Sequence, residues 1–397
     1  MRISHVTALT IKAQHQYRHT RQARETDTLP SSEYLYYEPY RELYAKRTEA
    51  TLVRVETDKG LVGWGEAQSP IAPEVSQTIV AKVLAPVVLG KDPLETNVRF
   101  HEMYGSLRAR GQTAGFQLDA IAAVDTALWD LKGQALGQSV SRLLGGSFRD
   151  RLPCYVSGLL GSTPEERADE AVGWIDRGFG GVKVFLGYGV ERDGDDVEAL
   201  AAAVGERGEV HVDVLWRYDQ PSALRLGRVL ERHGRGFLEA PLLPEDVEGH
   251  AALVRQLDAP VAVGEPLRGR HQFLPWFRSR ALDVCQPDVM RNGISETFAI
   301  AHLAEAFNIP VALHNGAATV VGMAATWQTA AAISNYYSQE FEPRMLELFN
   351  PWLREPLLVE DGQLVVPAGP GLGISVDEDR LREDVDSALV VNLGGKR

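Results

Sequence analysis

From about residue 152 onward, short apolar runs alternate with amphipathic helices, and this rhythm limits the fold more than any other feature. The runs are "LPCYVSG", "GGVKVFLG", "VHVDVLW", "FLEAPL", "PVAVGEP", "LDVCQPDV", "PVALHNG" and "YYSQEFE". A helix candidate follows each of the first seven. In one of them, "SETFAIAHLAEAFN" (295–308), Ile300, Leu303, Ala304 and Phe307 share a face. Strand–helix alternation repeated this often predicts a parallel sheet, and eight strands predict a closed (β/α) barrel. An open doubly wound sheet is the alternative. No Gly-rich phosphate fingerprint follows any early strand, which speaks against it.

The chain before this repeat reads differently. Residues 1–70 are β-rich, and "TLVRVETDKGLVGWGEA" (51–67) predicts a hairpin turning at Asp58-Lys59-Gly60. Residues 71–146 read as helical. In "LDAIAAVDTALWDLKGQALG", Ile121, Val124, Leu128 and Leu131 fall at helical spacing, and Gly137 punctuates the end. Between the first strand and the hairpin, 13–46 is rich in Arg, Tyr, His and Glu with little apolar periodicity. It reads as a long functional loop.

Charge and cysteine content remove several functions. Acidic residues number 54 and basic ones 41, giving a net charge of −13. That is the wrong sign for a nucleic-acid binder, though local cations can still hold a small anion. Cys154 and Cys285 each lie in an apolar run and read as buried, reduced thiols. The N-terminal stretch is too polar for a signal peptide, and no run approaches the ~20 apolar residues of a membrane helix. The expected location is the cytoplasm, with no membrane partner.

In such barrels the functional side chains gather at the C-terminal ends of the strands. Those ends carry Asp213, Glu239 and Glu265, spaced 26 residues apart. One carboxylate on each of three consecutive units sets three like charges side by side, and these need a neutralising partner. Hard oxygen ligands in a group of three suit magnesium. The plain alternative is three unrelated acids, each paired with a basic neighbour. The next two strand ends carry Asp288 and His314. A carboxylate beside an imidazole fixes its tautomer and raises its basicity. Alone, His314 would read as a core histidine; its neighbours make it a candidate base. Glu340, in the last run, is a further candidate for proton transfer, or else a solvated acid beside Glu342.

This pattern resembles the enolase superfamily in its mandelate racemase-like branch. The resemblance spans nearly the whole chain and rests on three features. They are "LVGWGEA", "AAVDTALWDLKGQALGQSVSRLLGG" and the ordered series Lys183, Asp213, Glu239, Glu265, Asp288, His314. It implies a mixed α/β fold, a modified (β/α)7β TIM-like barrel with an α+β capping domain. The barrel would be 136–349, and the cap 1–135 with the C-terminal tail 350–397. It implies one magnesium ion per subunit on Asp213, Glu239 and Glu265, and a base that removes the proton α to a carboxylate while the metal stabilises the enediolate. Family habit also implies a homo-oligomer.

Two departures from the family pattern narrow the chemistry. The second strand of this branch usually carries Lys-x-Lys, the first lysine facing the substrate carboxylate and the second acting as a base. Lys183 matches the first position; Phe185 fills the second and cannot carry a proton. Lys183 is therefore expected to act electrostatically, its burial compensated by anionic neighbours. The second departure is Leu215, where the family often has a polar group. Trp216 and Tyr218 directly after it are candidates to contact substrate, or else to pack. The 13–46 segment supplies Tyr17, Arg18, His19, Arg21, Arg24, Tyr34, Tyr36 and Tyr37 as a lid suited to a polyhydroxylated anion.

With one active base, the leading expectation is dehydration of a sugar acid to a 2-keto-3-deoxy acid. His314 would remove the α-proton and return it to the leaving β-hydroxyl. A cycloisomerase acting on a sugar-acid lactone needs the same metal and base. A Schiff-base aldolase using Lys183 would leave the carboxylate trio without purpose. A retired barrel, kept for binding or structure, is the non-enzymatic alternative.

Overall fold

A computed structural model describes residues 1–13, 33–37 and 40–394. The N-terminal part builds a four-stranded antiparallel sheet. Its members are β1 (Ile3–Ala13), β4 (Thr48–Thr57), β5 (Val62–Ala67) and, from the far end of the chain, β15 (Val385–Asn392), in the order β15-β1-β4-β5. The hairpin expected at 51–67 is there, with Thr51 opposite Ala67 and Glu56 opposite Val62. Within 13–46 the structure differs from a plain loop. A separate hairpin, β2 (Tyr34–Tyr37) and β3 (Glu42–Ala45), pairs Tyr34 with Ala45. Its sequence, polar and aromatic on both faces, carries none of the alternation that marks a half-buried strand.

The helix Phe116–Leu136 is apolar on nearly every side because both faces are covered. One side lies on the sheet, where Ile121, Val124, Leu128 and Leu131 are fully buried with Val53 and Val55. The other lies on the barrel helix Val289–Ala306, and Trp129 enters the barrel's core. Close approach to β5 depends on the glycines of "GWGEA". A Cβ on Gly65 would run into the Ala123 carbonyl, and one on Gly63 into that of Ala127. Gly65→Ala is expected to cost about 1–3 kcal/mol by overpacking, read as a lower urea midpoint at unchanged slope.

The barrel strands follow the sequence runs. β6 (Arg151–Ser157), β7 (Gly181–Phe185), β8 (Glu209–Asp213), β9 (Leu238–Glu239), β10 (Val261–Val263) and β11 (Val284–Cys285) pair in parallel in sequence order. The seventh run, 310–316, is held by isolated bridges: Val311 to Cys285 on one side and to Tyr336 on the other, and His314 to Asp288. β12 (Gln339–Phe341) pairs in parallel with β6, Glu340 beside Tyr155. A helix follows each of the first seven strand positions. The barrel helix Val289–Ala306 begins six residues before 295. It continues from a first turn at Val289 through Gly293, whose φ of +73° breaks the helical path and makes room for the Asp125 carboxylate.

The tail serves both parts. β13 (Val359–Glu360) and β14 (Gln363–Val365) extend the barrel sheet against β6, while β15 edges the cap. Four carboxylates of the cap reach across to the barrel or the tail. Glu66 accepts hydrogen bonds from the Thr319 and Gly322 amides and caps the helix Val320–Ala332. Asp119 forms a two-pronged pair with Arg268, at 3.0 and 3.2 Å. Asp125 accepts from Ser295, and Asp130 bridges the amides of Trp64 and Leu372. Cys154 and Cys285 are buried free thiols, as expected. No helix among the described residues is long and apolar enough to cross a membrane.

Candidate active site

The barrel strands carry Lys183, Asp213, Glu239, Glu265, Asp288, His314 and Glu340 to one end. The cap hairpin roofs them, leaving a cavity of about 240 Å³. Register explains the gathering. Phe185 pairs with Asp213 and Asp213 with Glu239, so neighbouring strands end level.

Lys183 is fully buried, and anionic neighbours compensate for that burial. Its Nζ lies 2.9 Å from both oxygens of Glu239, 2.7 Å from Glu340 Oε1 and 3.9 Å from Asp213 Oδ2. Burial alone would lower the lysine pKa. Glu239 and Glu340 outweigh it and hold the ammonium well above its ordinary value. It is a fixed charge, with the Phe185 ring 5.6 Å away.

His314 stands on the other side of Glu340. Its Nδ1 donates to Asp288 Oδ2 at 2.7 Å, and Asp288 Oδ1 accepts from the Met290 amide at the start of a helix. That fixes the tautomer. Nε2 is turned to the cavity, 3.1 Å from Glu265 Oε2 and 3.9 Å from Glu340 Oε2. Burial favours the neutral ring, but Glu340, Asp288 and Glu265 together raise its pKa well above the usual value. Those three carboxylates favour the charged imidazolium.

Glu340 is buried too. It accepts from Ser157 Oγ at 2.7 Å and from the Asn315 amide at 3.0 Å. Burial opposes its charge, yet Lys183 and His314 pull its pKa down to about 2. It therefore stays ionised at neutral pH and holds no proton to donate. The acid near it, Glu342, is buried 3.6 Å from Arg344 rather than solvated.

The three expected metal ligands divide by partner. Glu265 accepts from His314 and from Trp216 Nε1 at 3.1 Å. Burial would raise its pKa, but His314 brings it far below the carboxylate range. Glu239 accepts from Lys183 and from Gln286 at 2.8 Å. Among the described residues, Asp213 has the Leu215 amide at 2.8 Å and the distant lysine as its partners. Burial, and then Glu239, push its pKa well up. As they stand, no three acidic, His or Cys side chains among the described residues converge closely enough to hold one ion. The donor set and the charge still fit a divalent cation. Five carboxyl groups (Asp213, Glu239, Glu265, Asp288, Glu340) crowd three basic side chains (Lys183, His314 and Arg291), an arrangement that a divalent cation would relieve.

Of the residues expected to contact substrate, Tyr17, Arg18, His19 and Arg21, with Arg24, lie outside the described residues. Trp216 and Tyr218 do not line the cavity. Trp216 reaches Glu265 from behind, on a backbone held left-handed at φ +62° after Leu215 at +51°. Tyr218 donates to Asp193, which in turn accepts from the Gly187 and Tyr188 amides and so orders the loop after β7. Tyr34 donates to Glu49, and Tyr37 is buried in the hairpin.

Several contributors were not visible in the sequence. Gln68 donates to the Gly316 carbonyl and steadies the His314 loop. Tyr44, Tyr37, Tyr40 and Tyr188 form an aromatic ladder with centroids 5.1–6.2 Å apart, closed by a 2.7 Å hydroxyl bond from Tyr40 to Tyr188. This ladder pins the roof to the loop that follows Lys183. Only the clustering of tyrosines at 34–44 hinted at it.

A capped barrel that gathers acids and a carboxylate-oriented histidine at its mouth defines a class of enzymes acting on carboxylic acids. Residues 43–145 match the mandelate racemase / muconate lactonizing enzyme N-terminal domain, and residues 166–380 the enolase C-terminal domain-like family. The chain belongs to the enolase superfamily. It is 33% identical over 350 residues to D-galactarolactone cycloisomerase of Agrobacterium fabrum, covering 85% of this chain and 91% of that protein. It is 31% identical over 340 residues to arabinonate dehydratase of Saccharolobus solfataricus, covering 84% and 90%. A crystal structure of an enolase superfamily member from Agrobacterium tumefaciens superposes with a TM-score of 0.90 at 29% identity, over 99% of each chain.

Proposed function

We propose that this protein is a magnesium-dependent lyase that dehydrates a sugar acid to a 2-keto-3-deoxy acid. One observation carries the reading. Of the described residues lining the cavity, His314 is the one imidazole, while the position open to a second base is the phenyl ring of Phe185. One base favours chemistry in which a proton leaves and returns through the same group.

Asp213, Glu239 and Glu265 would hold the cation, in keeping with their spacing and with the crowding of carboxyl groups around them. Bound there, magnesium would stabilise the charge that develops on the substrate carboxylate oxygens. Lys183 adds a fixed positive charge to the same region, and Glu340 keeps it in place. A cation held by Glu265 would take one anionic partner from His314 and lower its pKa, so that the ring could release its Nε2 proton to solvent and act as a base. Asp288 holds Nδ1–H throughout, so the proton taken from the α-carbon arrives at Nε2. From Nε2 it passes to the β-hydroxyl as that group leaves, and one histidine completes both transfers.

The similarity to D-galactarolactone cycloisomerase favours a second reading, isomerisation of a sugar-acid lactone through the same base and metal. A sugar-acid library assayed with and without magnesium decides between them. α-Keto acid formation is the expected result. α-Deuterium uptake without keto acid would move the reaction to isomerisation, and silence in both assays would overturn the catalytic assignment.

A further inference from the structure

Nearly every charged group in the cavity wall is already engaged. Glu42 accepts from Tyr44, Glu49 from Tyr34, Glu342 lies by Arg344, and Lys183 is tied to two carboxylates. Arg291 differs. It lines the cavity, its side chain is only 17% exposed, and its Nε is buried without a hydrogen-bond partner. Among the described residues, one carboxylate lies within ion-pairing range. That is Asp288, whose Oδ2 is 3.6 Å away and already takes the His314 proton. A largely buried guanidinium whose Nε has no bonded acceptor is costly unless a ligand engages the group.

We propose that Arg291 binds a second carboxylate of the substrate, making the substrate an aldaric diacid or its monolactone rather than an aldonic monoacid. The inference rests on the dehydratase reading of the same site, where the reacting carboxylate is already served by the acidic trio and Lys183. A guanidinium offers two parallel N–H donors that match a planar carboxylate and not a lone hydroxyl. Arg291 sits on the His314 side of the cavity, one helical turn past Asp288, so the far end of the substrate would extend along that wall. Arg47, at the end of the hairpin roof, lines the same cavity and adds a second positive charge.

The test compares acids of one configuration: galactarate with galactonate, glucarate with gluconate, and mannarate with mannonate. The magnesium-loaded protein is expected to favour a diacid on the order of 100-fold in kcat/KM, carried by KM. Arg291→Gln should remove most of that preference while slowing the monoacid far less, and Arg291→Lys should restore part of it. Calorimetric binding of the same pairs to the His314→Asn protein reads the preference without turnover, so it stands even if the reaction is not a dehydration. A preference for monoacids overturns the proposal, as does the absence of any diacid preference in both assays. So does an Arg291→Gln variant that slows both acids equally through kcat, which would make Arg291 a positioning residue for Asp288.

Discussion

The His314→Asn protein is expected to bind magnesium yet lose α-proton exchange in deuterium oxide by a factor on the order of 10⁴, the upper end of what a positioned base contributes. The asparagine can keep a hydrogen bond to Asp288, so the loss would report the missing proton acceptor rather than a collapsed site. Retained exchange would falsify the assignment of His314 as base. The histidine should also show in equilibrium measurements. Burial opposes its charge, but Glu340, Asp288 and Glu265 raise its pKa in the metal-free protein. The stability it contributes is therefore complete below the unfolded value of about 6.5 and is lost as pH rises through the higher folded value. Committing Glu265 to a cation withdraws one cause of that elevation. Magnesium binding should then release protons and tighten as pH rises, and His314→Asn should reduce this release, leaving the share that comes from the raised Asp213. Calorimetry in buffers of different ionisation enthalpy measures it directly.

The Lys183→Met protein is expected to fail more broadly. Removing one partner of a buried ion pair typically costs about 3–5 kcal/mol. Here Glu239 and Glu340 would both lose their cation in the barrel interior. A large drop in thermal midpoint is the first expected result, partly recovered by magnesium because the cation would neutralise Glu239. Among molecules that stay folded, kcat/KM should fall on the order of 10² to 10³-fold, the usual cost of losing one fixed charge at a reacting carboxylate. If Lys183→Met were as stable and active as the parent protein, the ion-pair network would be incidental to both fold and chemistry.

The strand-end residues were legible because a barrel repeats. One chemical group per β/α unit, in register, is a pattern that sequence displays, and the structure brings Lys183, Asp213, Glu239, Glu265, Asp288, His314 and Glu340 together. The seventh strand was legible as an apolar run although only bridges hold it. What a side chain does through its neighbours was not legible. Trp216 and Tyr218 follow a candidate ligand directly, yet a left-handed turn at Leu215 and Trp216 sends both away from the cavity. The unpaired Nε of Arg291 depends on where the residues around it point, and no local spacing encodes that. The hairpin at 34–45 hid because its stability comes from tyrosines packing on the barrel, not from an alternating pattern.

The acidic ties between cap and barrel bear on how such enzymes diversify. Glu66, Asp119, Asp125 and Asp130 each leave the N-terminal part to find their partners at Thr319, Arg268, Ser295 and Leu372. A chimera that grafts this cap, with its tail, onto a related barrel would inherit three buried carboxylates, Glu66, Asp119 and Asp125, whose partners lie in the discarded half. Swapping whole domains is thus a poor route to a new substrate for this chain. Variation confined to the roof hairpin and the strand-end loops leaves those ties untouched, and there specificity can drift without unfolding the molecule.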